Sequence, residues 1–132
     1  MILCSGCFDG LHAGHVGYLE AVARITQQHV YVAVAPDTYI RELKGVNPRW
    51  LEGQRLAALR GLRCVQEVFL HGPEGVASVI RNGRALSRHW DAFAKGKDWR
   101  NSLQPDVLAA CAETGTALLF VDSGYDLHTH ET

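Results

Sequence analysis

The 132-residue sequence lacks an excess of charge of either sign, because 13 Lys and Arg residues balance 14 Asp and Glu residues. This balance excludes a general electrostatic attraction to nucleic acid or to an anionic membrane surface. The sequence also lacks an apolar run near the roughly 20 residues of a membrane helix. Its first residues lack the basic and long apolar segments of a signal peptide. We therefore expect a cytoplasmic protein that binds neither membranes nor nucleic acid.

The sequence has four cysteines, Cys4, Cys7, Cys64 and Cys111, and they are best interpreted as reduced thiols. Cys4 and Cys7 form a C-x-x-C pair, which is found in redox-active sites and in halves of zinc sites. No second C-x-x-C completes a zinc ribbon. Strand alternation would also leave one of the two in a strand and the other at its end. Ordinary thiols are favoured, and a redox site is the alternative.

Length and composition predict a single domain, residues 1–132, with a modest core. Apolar periodicity and β-branched runs predict strands that alternate with helices. The predicted strands are 1–5, 29–35, 65–70, 90–94 and 116–121, and the predicted helices are 15–26, one opened by Pro48, 74–82 and 105–114. Such alternation indicates a parallel sheet with helices on both faces and right-handed crossovers.

The most informative segment is GCFDGLHAGH, residues 6–15, which follows the first predicted strand. It places His12 and His15 three residues apart, among glycines, where a strand turns into a helix. A helix N-terminus offers free backbone N–H groups and the positive end of the helix dipole. Glycine lets the main chain approach an anion closely, and histidine adds a hydrogen-bond donor. The segment predicts a site for the phosphates of a nucleotide.

The segment His12-Ala13-Gly14-His15 resembles the HxGH signature of the nucleotidyltransferase superfamily that includes the cytidylyltransferases. The longer run is similar to adenylyltransferase domains that act on heptose 1-phosphate, and almost as similar to glycerol-3-phosphate cytidylyltransferases. Five later segments resemble, in order, the LKG, VNP, EQR, RYVDEV and KGGDY elements of that family. They are residues 43–45, 46–48, 52–55, 63–68 and 95–99. Their order along nearly the whole chain gives these weaker matches their weight.

The resemblance implies a Rossmann-like, five-stranded parallel sheet with the strand order 3-2-1-4-5. Residues 12–15 would then follow the first strand and residues 95–99 the fourth, side by side at the switch point where open sheets bind ligands. The implied reaction transfers AMP from ATP to a small sugar or polyol phosphate and releases pyrophosphate. One alternative is transfer of CMP from CTP to glycerol 3-phosphate or another alcohol phosphate. A second is a nucleotide-binding module with impaired catalysis.

The resemblance also implies a set of functional residues. His12, His15 and Lys44 are assigned to catalysis through phosphate contacts, with Lys44 in a loop after the second strand. The expected nucleotide-binding residues are Gly6, Cys7, Phe8, Asp9, Gly10, Gly14, Arg55, Gly96, Asp98, Trp99 and Thr129. No side chain is assigned to a metal, since Mg²⁺ would arrive with the nucleoside triphosphate. A homodimer with an interface near residues 63–68 is expected.

Three charged residues keep alternative interpretations at this stage. Asp9 either caps the backbone N–H groups that follow it, which we favour, or approaches Mg²⁺. Arg55 either clamps a phosphate in bidentate fashion or forms a surface salt bridge, for instance with Glu52. Arg63 contacts either a phosphate or a second subunit.

The sequence departs from the family pattern in two places. Lys97 stands where the family has glycine or an acidic residue, which puts the preference for base or acceptor in question. Residues 127–132 stand where the family has an ISTTxI-like segment, and Thr129 alone keeps a hydroxyl in register. Asp126, His128 and His130 alternate in the manner of metal ligands, but a disordered tail is favoured. Three arginines can meet phosphates, although a solvated face is favoured; they are Arg81, Arg84 and Arg88.

Overall fold

The computed structural model of this chain describes residues 1–83 and 89–124. The strands are β1 (Ile2–Gly6), β2 (Val30–Val34), β3 (Val65–Leu70), β4 (Ala92–Gly96) and β5 (Ala117–Val121). The helices are α1 (Ala13–Thr26), α2 (Asp37–Lys44), α3 (Glu52–Arg60), α4 (Val76–Asn82) and α5 (Pro105–Thr114). A short 3₁₀ turn, Lys97–Trp99, follows β4. In these ranges no helix combines the length and apolarity that crossing a membrane requires.

The five strands form one parallel sheet in the order β3-β2-β1-β4-β5, which confirms the predicted fold. β1 lies in the centre, and its Cys4 pairs with Val32 of β2 on one side and Ala94 of β4 on the other. Apolar residues fill these central strands because both of their faces are covered. β1 and β4 are therefore neighbours, as the switch-point prediction requires.

Alternation along β1 divides the interior into two cores. Cys4 packs with Leu19 and Leu59, from α1 and α3, on one face of the sheet. Leu3 packs with Ile80 and other residues of α4 and α5 on the opposite face. Burying an aliphatic side chain such as Leu19 contributes roughly 1.5–3 kcal/mol, so both helical layers hold the sheet firmly.

Several element boundaries differ from the sequence-based predictions. α2 was not predicted, although Tyr39, Ile40 and Leu43 fall at helical spacing; its eight residues bury only Asp37 and Ile40. The helix expected to open at Pro48 begins at Glu52. β4 continues through Lys95 to Gly96, since it pairs with β5 along its whole length. β3 and α5 have the predicted bounds, and Gly115 ends α5 with a φ of 71°.

Candidate functional site

A pocket opens at the carboxyl ends of β1 and β4, between the start of α1 and the 3₁₀ turn. One wall consists of residues 5–8 together with His12, Gly14 and His15. The other wall consists of residues 95–99 and, after β5, residues 121–123. The two segments that the sequence pointed to separately thus line one cleft, at the edge where parallel sheets bind ligands.

His12 and His15 form a capping box at the N-terminus of α1. The His12 Nδ1 accepts a hydrogen bond of 3.0 Å from the Gly14 N–H, and the His15 Nδ1 accepts one of 3.2 Å from the His12 N–H. Ser or Thr with Glu usually satisfies these otherwise unpaired helix donors. With both Nδ1 atoms accepting, each neutral ring carries its hydrogen on Nε2. The helix start therefore sets the tautomer of both imidazoles.

The Nε2 of His15 is a buried hydrogen-bonding atom without a partner among the described residues. Its ring stacks on that of His12, with centroids 3.8 Å apart, and the residue is only 7% exposed. Burial, and then the nearby His12 and Lys95, lower the pKa of His15 to about 4. His15 is therefore neutral near pH 7, and it holds an unsatisfied N–H donor in a side chain that lines the pocket. A phosphate oxygen is a suitable acceptor for it.

Phe8 and two glycines shape the turn after β1. Phe8 has a φ of 53°, is buried, and contacts the His15 ring edge-on at a centroid distance of 5.3 Å. A Cβ on Gly6 would lie 3.0 Å from the Phe8 ring, so this position accepts little more than glycine. Gly10 has a φ of 93°, which glycine adopts without strain. Phe8 therefore packs against His15 and also lines the pocket.

The end of β4 provides the opposite wall of the pocket. The Lys95 Nζ donates a hydrogen bond of 3.1 Å to the Ser5 carbonyl and lies 4.3 Å from the centre of the Trp99 ring. A Cβ on Gly96 would come within 2.7 Å of the Asp98 carboxylate, so a side chain here would displace that carboxylate from its position at the pocket. Lys97 forms a 3.0 Å ion pair with Asp122 at the exposed rim.

Tyr18 and Lys95 are among the residues that line the pocket and that the sequence-based site omitted. The Tyr18 hydroxyl donates to the Ala94 carbonyl and joins α1 to β4, which holds the two walls together. Its helical spacing from His15 was a usable signal, since residues three apart share a helix face. The sequence analysis placed Lys95 in the segment after the fourth strand. In the structure Lys95 lies inside β4, because β4 pairs with β5 as far as Gly96.

Asp9 caps backbone N–H groups, but not those predicted. Its Oδ2 accepts from the Arg49 N–H at 2.8 Å and its Oδ1 from the Trp50 N–H at 2.6 Å. These amides lie some 40 residues along the chain, just before α3. Both carboxylate oxygens are engaged, so the structure supports a structural role rather than the Mg²⁺ alternative.

The structure contradicts both interpretations of Arg55, the phosphate clamp and the surface salt bridge. Its side chain is fully buried, and its guanidinium donates to the carbonyls of Trp50, Cys7 and Ala35 at 3.0, 2.8 and 2.6 Å. It also forms a 2.7 Å ion pair with Asp37. Arg55 therefore joins the ends of β1 and β2 to the start of α2. A side chain enclosed in this way is not placed to clamp a phosphate.

The remaining predicted residues lie away from the pocket. Lys44 is the last residue of α2 rather than part of a loop, and it does not line the pocket. Arg63 precedes β3 at an edge of the sheet and does not line this pocket. Arg81 forms a 2.9 Å ion pair with Glu113, as a solvated face would. Six further residues with predicted roles lie outside the described ranges; they are Arg84, Arg88, Asp126, His128, Thr129 and His130.

The C-x-x-C pair lacks the properties of a redox site. Cys4 is fully buried in β1, and burial raises the pKa of its thiol to about 12, whereas a reactive cysteine needs a lowered pKa. Cys7 lies just past the strand, and all four cysteines are free. Residues 1–83 and 89–124 contain no cluster of three or more His, Cys, Asp or Glu side chains suited to a metal. The burial of Cys4 therefore favours ordinary thiols over the redox alternative.

Known proteins are similar to this chain in sequence and in fold. A family model described as cytidylyltransferase-like matches residues 3–126. The protein named Bifunctional protein HldE from Alkalilimnicola ehrlichii is 40% identical over 113 residues, which cover 83% of this chain and 21% of that protein. The FAD synthase of Methanocella paludicola is 32% identical, with 70% of this chain and 69% of the relative covered.

One solved structure shows the same fold. The crystal structure of the lipopolysaccharide core biosynthesis protein from Thermoplasma volcanium GSS1 superposes with a TM-score of 0.70 at 24% identity. The alignment covers 92% of this chain and 93% of that one. The chain spans about a fifth of the length of the HldE relatives that it matches, so most of their length has no counterpart here.

Proposed function

Because the chain belongs to the cytidylyltransferase-like family, we propose that it transfers AMP from ATP to a small sugar or polyol phosphate and releases pyrophosphate. The observation that carries this proposal is the shared pocket, in which His12 and His15 lie opposite the end of β4. The similarity of residues 6–15 to heptose 1-phosphate adenylyltransferases favours ATP and a sugar phosphate. The FAD synthase relative, whose named product contains an adenylyl group, is consistent with ATP.

In the proposed reaction, an acceptor phosphate oxygen attacks the α-phosphorus of the nucleotide. A new P–O bond forms, the bond to the β-phosphate breaks, and pyrophosphate leaves with the electron pair. The attacking oxygen is already an anion, so no general base is needed. The pocket must instead align two anions and stabilise the charge that develops on the phosphoryl oxygens.

The two histidines suit this task as prealigned donors. Their Nδ1 atoms are held by the helix cap, so each neutral ring directs its N–H from Nε2. The His15 N–H has no competing protein acceptor among the described residues. A donor that is already oriented reorganises little during the reaction, which is the main source of such electrostatic stabilisation.

The pocket suits Mg²⁺ that arrives with the nucleotide better than a resident metal. Its carboxylates are Asp98 and Asp122, and Asp122 already accepts from Lys97 and from the Gly124 N–H. Mg²⁺ is commonly bound through one or two carboxylates together with substrate phosphates. Asp98 is the carboxylate that would hold it, and the bound ion would neutralise phosphate charge.

A matrix of substrates tests the proposal. Pyrophosphate release is measured with ATP or CTP against a hexose 1-phosphate, a heptose 1-phosphate and glycerol 3-phosphate, in the presence of Mg²⁺. Release with ATP and a sugar phosphate supports the proposal, and release with CTP and glycerol 3-phosphate supports the alternative. Nucleotide binding by calorimetry without release from any pair would indicate the module with impaired catalysis.

Homodimerisation through residues 63–68 and a cytoplasmic location are parts of the same proposal. β3 is an edge strand of the sheet, so its outer side is available to a second subunit. Light scattering after size-exclusion chromatography measures the mass directly. A monomeric mass at the concentration of the assay would contradict the dimer.

A further inference from the structure

Lys95 is a buried cation whose surroundings satisfy it only in part. The residue is 9% exposed and lies in the pocket between the Ser5 carbonyl and the Trp99 ring. No carboxylate of the described chain forms an ion pair with it, in contrast to Lys97 on the same wall, which pairs with Asp122. A carbonyl and a ring face account for one N–H and one weak attraction, whereas an ammonium has three donors.

Such an arrangement favours an anionic ligand. A charge removed from water is costly unless it is paired and hydrogen-bonded. The neighbouring His15 is neutral near pH 7 and contributes a donor but no charge. The pocket is lined by two lysines, Lys95 and Lys97, and Lys97 is already paired with Asp122, so Lys95 is the better source of positive charge for a bound phosphate.

We propose that Lys95 is a phosphate-binding residue of this pocket and supplies the positive charge that complements the donors of His12 and His15. The proposal rests on the proposed function for the nature of the ligand, a phosphoryl group. That group belongs either to the nucleotide or to the acceptor, and the experiment distinguishes the two.

The charge state of Lys95 provides a signature that a purely structural role would lack. Burial lowers the pKa of its ammonium to about 8, against the opposing influence of Cys7, Cys4 and Asp98. A bound anion favours the protonated form and raises that pKa again. Anion affinity should therefore be high below pH 8 and fall as the pH rises through about 8.

The other groups that face Lys95 are accounted for. Cys4 is neutral in this range because burial raises the pKa of its thiol to about 12. His15 is neutral above its pKa of about 4. The other titratable groups of the pocket come from every element around it, and they are unchanged in variants at residue 95; they are Cys7 after β1, His12 and Tyr18 at α1, Lys97 and Asp98 in the 3₁₀ turn, and Asp122 after β5. Differences between those variants therefore isolate Lys95.

The experiment measures binding of ATP, glycerol 3-phosphate and pyrophosphate separately, by calorimetry, to the full chain and to Lys95→Met, Lys95→Arg and Lys97→Met. Lys95→Met should weaken binding of at least one probe by about tenfold or more, the typical contribution of a charge-assisted hydrogen bond. Lys97→Met should weaken it less, because Lys97 is exposed and already paired. Loss for ATP alone assigns Lys95 to the nucleotide, and loss for glycerol 3-phosphate alone assigns it to the acceptor.

The pH profile separates a ligand contact from a structural one. Between about pH 7 and about pH 9.5 the wild type should lose affinity, whereas Lys95→Arg, which stays charged, should bind with little change. Lys95→Met should bind weakly at every pH. If Lys95→Arg does not fold, the flat profile of Lys95→Met against the sloping wild type gives the same information.

Unchanged binding by a folded Lys95→Met protein would overturn the inference. So would weakened binding with the same pH slope as the wild type, because that pattern assigns Lys95 a packing role. If Lys95→Met keeps both turnover and full binding, the proposed function is supported and Lys95 has no role in phosphate binding. Anion binding that depends on Lys95, without turnover from any substrate pair, would keep Lys95 and reject the transferase.

Discussion

Arg55 and Lys95 are both buried cations at the carboxyl edge of the same sheet, yet the protein treats them differently. Arg55, beside β1 and β2, gives four hydrogen bonds to protein acceptors, one of them the carboxylate of Asp37. Lys95, beside β1 and β4, has one carbonyl and one ring face. A cation whose donors are satisfied by the chain holds the chain together. A cation left partly unsatisfied, beside an unpaired His15 N–H, marks the place where a ligand belongs.

The largest effect is expected when Arg55, the structural cation, is replaced. Arg55→Met should lower the free energy of unfolding by about 3–5 kcal/mol, because it leaves the Asp37 carboxylate without its partner. Urea denaturation measures the change. Lys95→Met is the matched control and should lose much less stability, since it leaves no carboxylate unpaired.

Arg55→Lys covers the case in which Arg55→Met does not fold. A lysine keeps the charge but cannot reproduce the planar, multidentate contacts. It should fold with reduced stability. Equal losses at positions 55 and 95 would abolish the contrast between the two cations.

On the pocket side, the effect should appear in activity rather than in stability. His15→Ala should lower kcat by about 10²–10³, the usual loss when one prealigned donor is removed. His15→Gln is the sharper variant, because glutamine at this position of a capping box can still bond the His12 N–H. It should keep the helix cap and lose activity, measured as pyrophosphate release beside the thermal midpoint. Full activity in His15→Gln would remove the Nε2 donor from the mechanism.

Acid should destabilise the protein through the same histidine. The pKa of His15 is lowered to about 4 in the folded state, against about 6.5 in an unfolded chain, so protons bind the unfolded state more readily. Stability should be fully present above about pH 6.5 and fall as the pH drops toward 4. Burial also lowers the pKa of His71, which adds to the same trend. Urea denaturation of the wild type and of His15→Gln at several pH values isolates the contribution of His15. If the free energy of unfolding depends on pH identically in the two proteins, His15 does not contribute.

The smallest effect is expected at Asp9, another residue with a structural role. Asp9→Asn should cost about 1–3 kcal/mol, because one of the two backbone N–H groups of Arg49 and Trp50 loses its acceptor. Nucleotide affinity, measured by calorimetry on the folded variant, should change little. A selective loss of Mg²⁺-dependent binding, with stability unchanged, would restore the metal alternative for Asp9.

Local patterns in the sequence were sufficient for the parts of the fold that depend on neighbouring residues. Alternation of strands and helices predicted a parallel sheet, and Pro105 with Gly115 predicted both ends of α5. α2 was missed although Tyr39, Ile40 and Leu43 fall at helical spacing, because this two-turn segment was assigned to the loop after the second strand. The start of α3 was misplaced because Asp9, far away in the chain, holds the amides that precede it.

The sequence by itself determined the strand pattern and the two polar segments, His12 to His15 and Lys95 to Trp99, because residue type and spacing act over short distances. Only the tertiary structure decided what the charges do. It enclosed Arg55 among three separate chain segments and gave Asp9 its distant amides. It also brought Lys95 and His15, whose Nε2 has no partner among the described residues, into the lining of one cleft. The physical reason is that the cost of a buried charge depends on which acceptors surround it, and those acceptors come from residues that meet only when the sheet has formed.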